Sequence, residues 1–93
     1  MSANNRMVWT IDVFDDATEQ LVEEHALAGI AEEQLREMFG QPANARMVDS
    51  FRVSDAQARL LQSYLRSPLH LRPGRSYFLE CHLDDAAGTA LNS

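Results

Sequence analysis

The sequence holds a single cysteine, no lysine, four scattered glycines and no apolar run of any length. Each shortage excludes something. With only Cys81, no intramolecular disulfide can form, so this is not a disulfide-stapled secreted scaffold, and a reducing, cytoplasmic setting is expected. No stretch approaches the roughly 20 apolar residues that a membrane helix requires. The first residues, Met-Ser-Ala-Asn-Asn-Arg, lack the basic-then-apolar layout of a secretory signal. Gly29, Gly40, Gly74 and Gly88 lie too far apart to form a phosphate-cradling loop. All eight basic residues are arginines, which reads as the coding bias of a GC-rich genome rather than as chemistry.

What is present suits one self-supporting domain. Ninety-three residues with 45% hydrophobic and 24% charged side chains can bury a core without metal or disulfide. The net charge of −6 is unevenly spread. Residues 1–45 carry −7, residues 46–83 carry +3 and residues 84–93 carry −2. Such asymmetry points to an acidic face for a basic partner, or to two halves that complement each other within one fold or across a dimer.

The hydrophobic pattern gives the order β-β-α-β-α-β. Met7–Phe14 is rich in β-branched and aromatic residues. Trp9, Ile11 and Val13 share one face, and Val8, Thr10, Asp12 and Phe14 share the other. Asp15-Asp16-Ala17-Thr18 is a turn. Glu19–Ala28 reads as a returning edge strand, with a helix as the competing assignment, and either strand phase turns a carboxylate inward. Ile30–Phe39 has helical spacing, with Gly40 and Pro42 to stop it. Met47–Val53 reads as a short strand with Asp49 in its apolar phase. Ser54-Asp55-Ala56-Gln57 is a capping box that opens a helix to about Arg66. Ser76–Leu83 alternates clearly, with Tyr77, Leu79 and Cys81 against Phe78, Glu80 and His82. The expected architecture is therefore α+β: a single domain over residues 1–83, a four-stranded sheet with two helices on one face, and a flexible tail over 84–93. The other face would carry Asp12, Phe14, Phe78, Glu80 and His82.

Chemistry-bearing constellations are scarce. His25, His70, His82 and Cys81 show no metal-ligand spacing. Cys81 and His82, adjacent on a strand, point to opposite faces and can neither share an ion nor form a nucleophile–base pair. No nucleophile elbow is present. Arg52, Arg59 and Arg66 make too slight a basic stripe for nucleic acid on an acidic chain. No catalytic residue, metal, cofactor or membrane contact is expected.

Trp9-Thr10-Ile11-Asp12-Val13-Phe14-Asp15, Thr18 to Val22, Leu35 to Pro42, Met47 to Phe51 and Tyr77-Phe78-Leu79-Glu80 together resemble a family of small uncharacterised bacterial proteins over residues 7–83. The family implies no chemistry. Its size and acidity are similar to those of immunity proteins of bacterial toxin systems. The resulting expectation is a non-enzymatic protein-binding domain of immunity or antitoxin type, which occludes a basic toxin domain with an acidic surface. The expected contacts are Asp12, Asp15, Asp16, Glu23, Glu24 and Glu80, with Phe14 or Phe78 as an apolar anchor. The alternative is a self-associating structural or regulatory module, a homodimer whose −7 and +3 segments meet across a two-fold axis.

Overall fold

A computed structural model describes residues 5–85. Four antiparallel strands form one sheet in the order β2-β1-β4-β3. The strands are β1 (Asn5–Asp15), β2 (Leu21–Ala26), β3 (Phe51–Arg52) and β4 (Arg75–Asp85). Two helices, α1 (Glu32–Met38) and α2 (Asp55–Leu61), interrupt them, and a single 3-10 turn over Gln62–Tyr64 extends α2. The α+β class and the element order are those expected from the pattern.

The two long strands make the spine. β1 and β4 pair along their whole lengths, from Asn5 opposite Asp85 to Asp15 opposite Arg75. Asp84 and Asp85 thus belong to the strand, two residues beyond the boundary drawn from composition, and residues 86–93 lie outside the described residues. Alternation puts Ile11, Val13, Tyr77 and Leu79 on one face, all buried. Leu35 of α1 and Ala58 and Leu61 of α2 close over them, with Leu27, Met47, Val53 and Leu69 from the connections.

Local sequence explains where the helices begin and end. The Ser54 hydroxyl accepts from the Gln57 backbone N–H at 3.2 Å, and the Gln57 side chain accepts from the Ser54 N–H at 2.9 Å. Gln57 also donates to the Met38 carbonyl at 3.3 Å, tying the start of α2 to the end of α1. Gly40 closes α1 in the left-handed conformation, φ 64°, which a Cβ would disfavour.

The expected bounds shift at every element, β1 and β4 lengthening and α1 shortening to Glu32–Met38, and at three others the cause is visible. β2 starts at Leu21 rather than Glu19, because Glu19 itself turns through a left-handed φ of 62° to close the hairpin. The expected strand Met47–Val53 shrinks to Phe51–Arg52. Its first residue is taken out of the ladder by side chains. The Met47 N–H donates to Glu32 Oε2 at 2.8 Å, and the Met47 carbonyl accepts from the Trp9 indole at 2.7 Å. Asp49 is consequently exposed in an irregular segment and needs no buried partner. α2 stops at Leu61, and its tightened last turn, not a continuing α-helix, carries Tyr64 to the core edge.

The inward carboxylate of β2 is Glu23, opposite Val13. It accepts from Arg75 at 3.1 Å and pairs with His25 at 2.8 Å. A second ion pair joins Arg46 to Glu32 at 3.5 Å. The acidic and basic segments of the sequence therefore meet within one chain. The His25 hydrogen bond, then the charges of His25 and Arg75, hold the Glu23 carboxyl below its usual 4.5, against desolvation. The folded state binds this proton less tightly than the unfolded state does. The resulting stabilisation is complete above about 4.5 and is lost as pH falls through the depressed folded value. Glu23→Gln should thus lower stability to urea at about pH 7, with a deficit that shrinks as pH falls from about 4.5 toward about 3. An equal deficit at both pH values would contradict the pairing.

Candidate functional site

The face of the sheet opposite the helices is built from the alternate residues of the same strands. β1 contributes Thr10, Asp12 and Phe14, and β4 contributes Ser76, Phe78, Glu80 and His82. Glu24 of β2 lies directly across from Asp12, and Arg52 of β3 lies across from Phe78. These residues fall into two adjoining groups.

The first group is a cleft of about 440 Å³ at the hairpin end of the sheet. Phe14, Asp15, Asp16, Glu19, Ser50, Ser76, Phe78 and Glu80 line it. The Phe14 and Phe78 rings meet edge to face, with centroids 5.8 Å apart at 78°. Four carboxylates surround them. Ser50 donates to Glu80 at 2.6 Å, and Ser76 donates to Asp16. Asp15 Oδ1 accepts from the backbone N–H groups of Thr18 and Ala17 at 3.0 and 2.9 Å. These two bonds hold its carboxyl below the usual 3.8, so it is ionised at neutral pH. The Arg52 guanidinium sits 5.7 Å from the Phe78 ring centre, a cation already resting on this aromatic surface.

The second group lies farther along the same face. Asp12 is 6% exposed and Thr10 is 6% exposed. The Thr10 hydroxyl donates to Asp12 Oδ1 at 2.7 Å and lies 3.1 Å from His82 Nε2. His82 Nε2 is also 3.6 Å from Glu24 Oε2. Donor atoms of Asp12, Glu24 and His82 all fall within 4.8 Å of one another. A hydroxyl, an imidazole and a carboxylate in one place invite comparison with a nucleophilic triad. Here the carboxylate binds the hydroxyl itself instead of orienting the imidazole, so the order of a triad is not reproduced. On the opposite face, burial and the Glu32 charge push the Cys81 thiol above its usual 9.0, which keeps it protonated at neutral pH.

Of the residues expected from sequence to meet a partner, Phe14, Asp15, Asp16, Phe78 and Glu80 line one cleft. Asp12 and Glu24 lie on the same face beside it. Glu23 does not join them, because strand alternation sends it to the helix-covered side, where His25 and Arg75 engage it. Glu19, Ser50 and Ser76 also line the cleft, and no local sequence pattern marks them. They come from the hairpin turn, the irregular approach to β3 and the start of β4, and only the strand register brings them together.

This is a small α+β domain with one covered and one open sheet face. Residues 8–80 match a family described as a domain of unknown function (DUF7683), and the chain belongs to that family. No curated protein and no solved structure matches it.

Asp12 is buried and served by the Thr10 hydroxyl. Thr10→Val keeps the side-chain shape but removes that donor, and should destabilise the fold by about 1–3 kcal/mol in urea unfolding. A loss below about 0.5 kcal/mol, the range of an ordinary surface change, would show that the bond does not carry the buried carboxylate.

Proposed function

We propose that the chain is a non-enzymatic binding domain whose open sheet face receives a basic protein partner. The observation that carries this reading is the cleft in which two phenylalanine rings are framed by Asp15, Asp16, Glu19 and Glu80. Aromatic faces attract cations, and surrounding carboxylates add directional acceptors for arginine or lysine. The stacking of Arg52 on Phe78 illustrates the preference within the chain itself. The acidic field over this end of the molecule would also speed encounter with a cationic surface.

In its most specific form, the reading is of an immunity-type protein that blocks a basic toxin domain, held in the cytoplasm with its partner. Size, net charge and an open acidic face support it. Self-association is the alternative, and the intramolecular pairs Glu23–Arg75 and Glu32–Arg46 use up part of the complementarity that a dimer would need.

Affinity capture from cells that naturally produce the protein tests this directly, with an Asp16→Arg/Glu80→Arg double variant run alongside. The expected result is a stoichiometric basic polypeptide on the parent and at least a tenfold reduction on the variant. Equal recovery on both would place the interface elsewhere.

A further inference from the structure

We propose that Asp12, Glu24 and His82 form a binding site for a divalent first-row metal ion of the zinc class. The inference is independent of the partner reading, since it rests on the second polar group and not on the aromatic cleft. The first argument is electrostatic. Asp12 and Glu24 are direct cross-strand partners on one face of the sheet, a placement in which like charges repel. Asp12 is also almost fully buried, and a buried carboxylate requires a cation or strong donors. Among the described residues no arginine is paired with it. Its donor is the neutral hydroxyl of Thr10. A divalent cation between the two carboxylates would turn the repulsion into attraction.

The second argument is geometric. The donors come from three neighbouring strands, so the sheet fixes their backbones. With bonds of about 2.0–2.1 Å, tetrahedral donors lie roughly 3.3 Å apart. His82 Nε2 and Glu24 Oε2 already stand 3.6 Å apart, and the whole set lies within 4.8 Å. The side chains of Glu24 and His82 are each about half exposed, 48% and 47%. They can therefore close on an ion that arrives from solvent while Asp12 stays fixed, His82 Nε2 exchanging its contact with the Thr10 hydroxyl at 3.1 Å for the ion.

The donor chemistry selects the metal. One imidazole nitrogen with two carboxylate oxygens suits zinc, cobalt or nickel better than calcium or magnesium, which favour oxygen alone. The Thr10 hydroxyl on one Asp12 oxygen is the kind of outer contact that orients a ligating carboxylate and leaves the other oxygen free for the ion. Three protein ligands leave a fourth position open to water or to a group from a bound partner.

The test is calorimetric titration of the tag-free protein with zinc chloride, paired with thermal melting in the presence and absence of zinc. We expect one equivalent to bind and to raise the melting temperature. His82→Ala, Glu24→Gln and Asp12→Asn should each weaken binding at least tenfold. Glu24 and His82 are half exposed, so their variants will fold, and circular dichroism checks Asp12→Asn. His25→Ala and His70→Ala, outside the cluster, should bind as the parent does. Absence of binding by the parent, or His82→Ala binding zinc as tightly as the parent, would overturn the site.

Discussion

The full-length antiparallel pairing of β1 with β4 determines which side chains meet the helices and which meet water. Once Ile11 faces Leu79 and Val13 faces Tyr77, alternation leaves no freedom for their neighbours. Thr10, Asp12 and Phe14 must share the opposite face with Phe78, Glu80 and His82. Two helices of seven residues each cover one side of the sheet. The domain therefore has a conventional apolar core on one side and, on the other, a surface that burial alone does not explain.

That surface departs from an ordinary solvated sheet face in two ways. It buries a carboxylate, Asp12, at the centre of the sheet and sets a second carboxylate directly against it. It also concentrates Phe14 and Phe78 among acidic groups near the hairpin, where the left-handed Glu19 completes the rim. Arrangements that work against stability, such as facing carboxylates and a non-glycine residue at positive φ, commonly mark functional surfaces. The helix-covered face shows the opposite logic. Its inward strand carboxylate, Glu23, is answered at once by His25 and Arg75.

Much of this was legible in the sequence, because it depends on periodicity. The alternation of β1 and β4 predicts both faces, and Ser54 with Gln57 marks the start of α2 from four letters. The composition of the open face, with Asp12, Phe14, Phe78, Glu80 and His82 together, followed from the same count. What was not legible depends on long-range partners. Met47 looks like the first residue of a strand until Glu32 and Trp9 claim its backbone groups. Glu23 and Glu24 are equivalent by sequence, and only the pairing of β2 with β1 separates the structural carboxylate from the surface one. The nearness of Asp12, Glu24 and His82 is invisible to ligand-spacing rules because each residue comes from a different strand.

We propose that the open face receives a basic partner at its aromatic and acidic cleft. The most direct measurement is an amide-resolved NMR titration of the isotope-labelled protein with an arginine-rich peptide. Saturable shifts are expected, confined to Phe14, Asp15, Asp16, Ser76, Phe78, Glu80 and their strand neighbours, and lost in Phe78→Ala. Shifts centred on α1 and α2, or scattered without saturation over every acidic residue, would contradict the proposal.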